Sequence, residues 1–417
     1  MHEDRPSKRS KPSPIQTTIV VPITDEFELQ NVFATSLLRI IYPNAEIVHV
    51  DVDTDNTLRD HARDANTFVI GCGIIGGPRV YDWSNHIHNP QVKQNGKQRN
   101  KQKQKQKLKQ IQGKAGRLGI VEYFKDSKRC RVVPLCTVGK VYTIHGRDIV
   151  RRALKDANSE LPMPSTQDLD WVYERAYFDY IEIIDADARR MPMYRVVKDG
   201  RGENVKRGDL PDAKFSADQH TLREFVKRCG LQMEDFENVD WDVEKVKQLR
   251  EEKFCNVVNI LKMGFENYVR YFAFSFLHGR EVVANAFAKV VKENGKVLVL
   301  DDFVPWKEHL FNMEKANDKR VKVLYVVFPD SSKNWKVSAV PIQPASFDSR
   351  KKFPEQWCGL EGEKLAQVCG VEDATFVHAQ GFIAGAKTKE GCLALANMAA
   401  AEEAEVQTKT GSSESIA

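Results

Sequence analysis

Three observations predict an α/β protein of more than one domain. β-Branched and apolar runs alternate with stretches of helical spacing through the first part of the chain, an order that implies a parallel sheet with helical crossovers. A long middle stretch then reads as helix, and strands return after it. The length, 417 residues, exceeds one typical domain and leaves room for two or three compact units.

Taken in order, residues 17–23 are a β-branched run that reads as a strand. Residues 27–41 place apolar side chains at 29, 32, 33, 37, 38, 40 and 41, which is a helical spacing. Short apolar strands follow at 47–52 and 67–70, with a helix at 58–64 between them. Further strands are read at 119–123 and 131–135, and helices at 139–154 and 169–187. A polar stretch rich in Gly and Lys at 198–214 reads as a linker, and 216–277 is strongly helical. Strands return at 296–300, 321–327, 335–340 and 376–377, before a helix at 388–403. The resulting domain reading is a tail over 1–14, an α/β domain over 15–200, a helical connection over 215–277, a smaller α/β domain over 278–404 and a tail over 405–417.

Composition narrows the class. With 41% hydrophobic and 29% charged residues, the chain has the balance of a soluble globular protein, not of a disordered or collagenous one. No window reaches the roughly 18 consecutive apolar residues of a membrane helix, so no membrane partner is expected. The first residues carry Lys8, Arg9 and Lys11 without an apolar stretch, unlike a secretory signal. Eight cysteines lack any Cys-x-x-Cys pair, which argues against a zinc ribbon or a disulfide framework and for a reducing compartment.

The net charge of +5 is unevenly placed, because residues 91–117 hold ten Lys and Arg and no acid. The remainder is mildly acidic. This Lys/Gln insert has almost no apolar side chain to repay its ordering entropy and is expected to be a mobile loop. Its Lys97, Arg99, Lys101, Lys103, Lys105, Lys107 and Lys109 would displace counterions from nucleic-acid phosphates and add salt-sensitive affinity.

A second phosphate-binding pattern lies near the C-terminus. Gly381-Phe-Ile-Ala-Gly385 reads as a glycine-flanked turn whose N–H groups converge on phosphate oxygens. Lys387 and Thr388 stand at the following helix start, His378 can donate just before the turn, and Arg350 has the planar fork for bidentate contact. Arg147, after His145-Gly146, is a further cationic candidate. Trp171, Tyr173, Tyr177 and Tyr180 fall near helical spacing and read as a half-buried face in preference to a base-stacking one.

Several motifs are specific: Val304-Pro-Trp306-Lys-Glu-His309, Trp335-Lys-Val-Ser-Ala-Val-Pro341, Ser346-Phe-Asp-Ser-Arg350, Trp357-Cys-Gly-Leu360 and Phe376-Val-His378-Ala-Gln-Gly381. Together they resemble the Myg family of DHH-type phosphoesterase-like proteins, in which a metal-dependent nuclease acts on RNA. The resemblance is dense from about 265 to 400 and weak back to about 15. It implies a DHH-like parallel-sheet domain followed by a smaller α/β substrate-binding domain.

Set against that family's metal motif, His-x-Gly-x-Phe-His-x-Asp-Glu, the chain has Ile23 and Glu28 in place of the histidines and Gln30 in place of the Asp. The family's Asp-Val-Gly-Gly aligns with Gly71-Cys72-Gly73-Ile74, and its Asp-His-His with Asp82-Trp83-Ser84. Asp185, within Glu182-Ile-Ile-Asp185-Ala-Asp187, keeps the fourth acidic motif, and Thr137-Val-Gly139 resembles the family's helix start. His86 and His88 form a His-x-His pair without carboxylate partners. These replacements lead to an expectation of a non-catalytic chain, with no catalytic residue, metal or cofactor, that grips RNA phosphates without cutting.

That pattern looks like the guide RNA-associated proteins of the kinetoplastid mitochondrial RNA-editing substrate-binding complex. The likeness implies guide RNA held by its 5′ phosphate end, a paralogous subunit in a heteromer, a larger RNA-editing complex, and the mitochondrial matrix, with the nucleus as the alternative. Two other readings stand beside it. One is a metal-dependent phosphoesterase or 3′–5′ RNA exonuclease using Glu28, Asp82, Asp185 and His86; the other is a scaffold subunit that binds no RNA.

Overall fold

A computed structural model describes residues 16–22, 24, 26–50, 58–71, 79–81, 133, 135–155, 161–188, 221–317 and 320–402. The chain divides into two compact units, Met1–Arg270 and Tyr271–Ala417. The division falls inside the stretch read as a helical connection. Among the described residues no helix is long and apolar enough to cross a membrane.

In the first unit, β1 (Thr18–Pro22) lies between β2 (Glu46–Val50) and β3 (Thr67–Ile70), and β3 pairs with β4 (Val80–Tyr81). All pairs are parallel, in the order β2-β1-β3-β4. Ile19, Val20 and Val21 of β1 are completely buried, as an unbroken apolar run in a parallel sheet covered on both faces should be. Helix α1 (Leu29–Ile41) follows β1, and α2 (Leu58–His61) precedes β3. Val20, Val50 and Val69 meet Leu58 and Ala62 in one apolar cluster. The strand order reverses between β1 and β3, and in open α/β sheets ligands bind outside the carboxyl ends of strands at such a point.

Among its described residues this unit has six further helices: α3 (Thr137–Lys155), α4 (Thr166–Ala176), α5 (Glu182–Ala188), α6 (Leu222–Arg228), α7 (Met233–Asn238) and α8 (Val243–Arg270). The helix expected over 169–187 is interrupted by a π-helical turn at Tyr177–Ile181. Tyr173 and Tyr177 are buried, Tyr142 stacks on Tyr173 at 5.2 Å, and Phe33 meets Phe265 edge-on at 6.0 Å. These rings are core and are not available to bases. The strands expected at 119–123 and over most of 131–135 lie outside the described residues.

On the edge strand β2, His49 meets Phe254 of α8 edge-on at 4.8 Å, and neither ring nitrogen has a hydrogen-bond partner among the described residues. Burial, with the nearby charges of Arg250 and Lys247, lowers its pKa from 6.5 to about 4. Between those values the unfolded chain binds the proton and the folded chain does not. Stability from this group is therefore full above about pH 6.5, falls as pH drops toward 4, and changes no further below that. The shift sets a ceiling of about 3 kcal/mol, and because part of the ring still meets water the expected loss is about 1–2 kcal/mol. Urea midpoints at pH 7 and pH 4.5 should show this loss, and His49→Phe should remove it. Parallel losses in both proteins would show that His49 is not the group responsible.

The second unit opens with a π turn at Tyr271–Phe276 and α9 (Leu277–Glu293), followed by β5 (Val297–Val299) and α10 (Lys307–Ala316). Then come β6 (Tyr325–Pro329), β7 (Trp335–Ala339), α11 (Gly362–Cys369), β8 (Ala374–Val377), β9 (Ile383–Ala386) and α12 (Lys389–Ala401). The sheet order is β5-β6-β7-β9-β8, parallel only between β5 and β6. Tyr325 and Val327 join a cluster with Leu395 and Ala396 of α12, whereas Val326 joins Val283, Trp306 and Leu310 on the other face, the period of two expected of a strand. The strand expected over 321–327 begins only at Tyr325, because both backbone groups of Val323 are taken by side chains, Glu314 and Arg350.

Candidate active site

The carboxyl edge of β1 and β3 gathers Glu28, Gln30, Asn31 and Gly71. Glu28 caps α1 with extended backbone, and its carbonyl accepts from Asn31 and Val32 N–H at 3.0 and 3.1 Å. Gln30 Nε2 and Asn31 Nδ2 donate to Glu28 Oε2 at 3.0 and 3.3 Å. Gly71 ends β3 at φ +63°, and a Cβ there would stand 2.3 Å from Asn31 Oδ1, so only glycine fits. Asn31 is 5% exposed, and its Oδ1, like Gln30 Oε1, has no hydrogen-bond partner among the described residues. Motif alignment drew attention to Gln30 and passed over Asn31; its sequence signal was a polar residue on the apolar side of a helix.

Asp185 lies on α5 and is fully buried. Its Oδ1 accepts from the N–H groups of Cys136 and Gly139, each at 3.1 Å, and from the Cys136 thiol at 2.7 Å. The carboxylate thus satisfies donors at the amino end of α3, where negative charge is favoured. Burial, and then the charge of Asp185, pushes the Cys136 thiol well above its usual range. A Cβ on Gly139 would stand 2.1 Å from Asp185 Oδ2. Two motifs separated in sequence, Thr137-Val-Gly139 and the acidic stretch at 182–187, therefore meet in one contact.

A two-metal phosphoesterase needs clustered carboxylate and imidazole donors. Among the described residues no group of three or more His, Cys, Asp and Glu is placed to hold a metal ion. The described residues by themselves do not fit the metal pair that the family resemblance implies. Ile23, Asp82, Trp83, Ser84, His86, His88 and the whole Lys/Gln insert, Lys97 to Lys109 included, lie outside the described residues.

The expected phosphate ligands are placed differently from the sequence reading. Arg350 is not presented to a ligand: its side chain is 6% exposed, and Nη1 and Nη2 fork Glu314 at 2.6 and 2.7 Å. Arg147 donates to Asp170 at 2.8 Å and lies 4.6 Å from the Tyr173 ring centre. Gly385 belongs to β9, where a Cβ would meet the Phe376 ring at 2.7 Å, so its glycine serves packing and not a phosphate turn. Gly381, at φ +67°, makes the turn between β8 and β9.

Thr388 caps α12, accepting from Gly391 N–H at 3.0 Å and donating to Asp373 Oδ2 at 2.5 Å. The amino end of α12 thus already holds the carboxylate of Asp373, which takes the place a phosphate was expected to fill. Lys387 and His378 are exposed, and His378 packs against Phe382 at 4.5 Å.

Comparison with known proteins adds the following. The model of an uncharacterised protein family, UPF0160, denoted MYG1 exonuclease, matches residues 120–400. A MYG1 protein of Saccharomyces cerevisiae is 30% identical over 285 residues, covering 68% of this chain and 77% of its own length. The mouse MYG1 exonuclease is 28% identical over 271 residues, covering 64% of this chain and 63% of its own length. A crystal structure of RecJ with Mn2+ from Thermus thermophilus aligns with 93% of this chain and 52% of its own, at 9% identity and a TM-score of 0.20. That likeness is too weak to bear on the fold, which rests on the strands and helices above.

These relatives correct the expectation of a non-catalytic chain. The mouse and human relatives are named exonucleases. The replaced motif positions, 23 to 84, all precede the matched span of 120–400. With the family model matched across more than half of its length, the chain belongs to the MYG1 exonuclease family, UPF0160.

Proposed function

We propose that this chain is a nuclease that hydrolyses phosphodiester bonds from an end of single-stranded nucleic acid, with RNA as the substrate. The observation that carries this reading is the match of residues 120–400 to the MYG1 exonuclease family model, together with relatives named exonucleases. Two features support it. The parallel sheet reverses its order between β1 and β3, the point at which open α/β sheets bind ligands in a crevice outside the carboxyl ends of their strands. The basic stretch at 91–117 supplies a sequence-independent hold on phosphates.

The chain's own residues have defined parts in this reading. Glu28, with Gln30 and Asn31 against its carboxylate, presents an acidic, hydrogen-bonded group at the crevice, and Asp185 holds the start of α3. Asp82 follows β4 directly and is the acid of the Asp-Trp-Ser segment.

The test uses the full chain with end-labelled RNA and single-stranded DNA, in Mn2+ and in Mg2+. Stepwise shortening of RNA, lost in Asp82→Asn, is the expected result. RNA left intact by folded protein in both metals would overturn the reading.

A further inference from the structure

The phenylalanine of the motif Ser346-Phe-Asp-Ser-Arg350 has no part in the roles above. Phe347 is 102% exposed, so its ring stands wholly in water, and Ile342, on the facing arm of the same loop, is 54% exposed. Both belong to the second unit.

The loop that carries Phe347 is braced along its length. It leaves β7 at Val340 and folds back on itself: Arg350 N–H donates to the Val340 carbonyl and Ile342 N–H to the Asp348 carbonyl, both at 2.8 Å. Gln343-Pro-Ala-Ser346 forms its turn, closed by Ser346 N–H on the Gln343 carbonyl at 3.0 Å, with Pro344 at the position such turns favour for proline. Ser346 Oγ accepts from Asp348 N–H at 3.0 Å. At the base of the loop the buried fork between Arg350 and Glu314 ties it to α10, and Arg350 also holds the Val323 carbonyl. An aromatic side chain displayed on so fixed a loop is preorganised, and little ordering cost remains when a ligand arrives.

The area available and the charge around it select the occupant. Phe347 and Ile342 together present on the order of 300 Å2, against about 800 Å2 that each partner contributes to a stable protein interface. A flat ligand the size of one base fits the smaller figure. Val340 N–H donates to the Leu324 carbonyl at 2.8 Å, which lays the first arm of the loop along residues 322–324. Lys322 is exposed there, as are Arg320 just before it and Lys315 near the end of α10. Asp348 is the single acid of residues 341–349, and Glu314 is neutralised by Arg350. A cationic surround suits phosphates, and an aromatic ring accepts the face of any base.

We propose that Phe347 is a stacking platform for one base of a single-stranded nucleic-acid substrate, with Lys322 on a flanking phosphate. The inference rests on the nucleolytic reading for the identity of its ligand. It gives Phe347 a part in holding the strand and none in breaking the bond.

Binding of a fluorescently labelled oligoadenylate to the full chain is measured by anisotropy without divalent ions, so that nothing is cut. Phe347→Ala should weaken binding about tenfold, the loss of one base stack, with the melting temperature kept. Lys322→Ala should lower the slope of log affinity against log salt by about 0.7, the share of one phosphate on a single strand. Phe347→Trp should bind as wild type does, with emission quenched by the oligonucleotide beyond that of wild type. Unchanged affinity in Phe347→Ala, an unchanged salt slope in Lys322→Ala, no added quenching in Phe347→Trp, or no binding by folded wild type would each overturn the proposal. A Phe347→Ala protein that loses a dimer yet binds the oligonucleotide normally would overturn it in favour of a protein interface. Equal shortening of RNA by wild type and Phe347→Ala at limiting substrate would remove this site alone. Binding that depends on Phe347, with no shortening in Mn2+ or Mg2+, would remove the nucleolytic reading alone.

Discussion

Arg350→Ala should cost the second unit about 3–5 kcal/mol, because it leaves the Glu314 carboxylate buried with its charge uncompensated. Both side chains are nearly inaccessible, at 6% and 7% exposure, and the fork between them is closed at both ends. The pair also organises backbone. Arg350 Nη1 donates to the Val323 carbonyl at 2.8 Å, and Glu314 Oε1 accepts from Val323 N–H at 2.9 Å, so one pair of side chains satisfies a residue that the sheet leaves out. The guanidinium also lies 4.6 Å from the Phe311 ring centre.

Thermal unfolding should shift down by roughly 10 °C or more for a loss of that size. Arg350→Lys keeps the charge but not the fork, and should fall between wild type and alanine. The double variant Glu314→Met, Arg350→Leu should recover only part of the loss, since it removes the stranded charge but leaves the N–H and carbonyl of Val323 without these partners. The competing role for Arg350, bidentate contact with a phosphate, makes the opposite forecast. An alanine variant that melts with wild type yet binds RNA more weakly would restore it.

The contrast between these two roles shows what the sequence could carry. Local periodicity was legible. The run at 17–23 became β1, the apolar spacing from 29 to 41 became α1, and 67–70 became β3, because burial of neighbours along one element leaves its mark at intervals of two or three to four residues. Partners across the fold leave no such mark. Arg350 and Glu314 are 36 residues apart, and nothing around Arg350 distinguishes a buried fork from one offered to a ligand.

The same holds for residues 381–385. Its two glycines suggested a phosphate turn, but Gly381 is required by a left-handed hairpin and Gly385 by the ring of Phe376. The cap of α12 was expected to meet a phosphate; in the structure Thr388 there meets the carboxylate of Asp373, 15 residues earlier in the chain. The π turn has no sequence signature, and with it Asp179 escaped notice, while Tyr180 was read only as part of a half-buried helix face.

Asp185 gives the second large expected effect, and it separates structure from chemistry at the one acidic motif the family resemblance leaves in place. In Asp185→Ala the N–H groups of Cys136 and Gly139 lose their acceptor inside the protein, and each buried unsatisfied donor costs about 1–3 kcal/mol. The amino end of α3 also loses the negative charge that opposes its dipole. The sum is about 3 kcal/mol or more, which should appear as a lower urea midpoint in protein without any substrate. Asp185→Asn keeps an acceptor oxygen and loses only the charge, so about 1–2 kcal/mol is expected. Gly139→Ala should resemble Asp185→Ala, because its methyl would occupy the space of the carboxylate. If Asp185→Ala and Asp185→Asn both unfold with wild type while RNA shortening disappears, the carboxylate is a participant in cleavage. If the midpoint falls in the order expected and residual activity tracks the folded fraction, Asp185 acts by holding the start of α3, and the acid that does the chemistry has to be sought at Glu28 or Asp82.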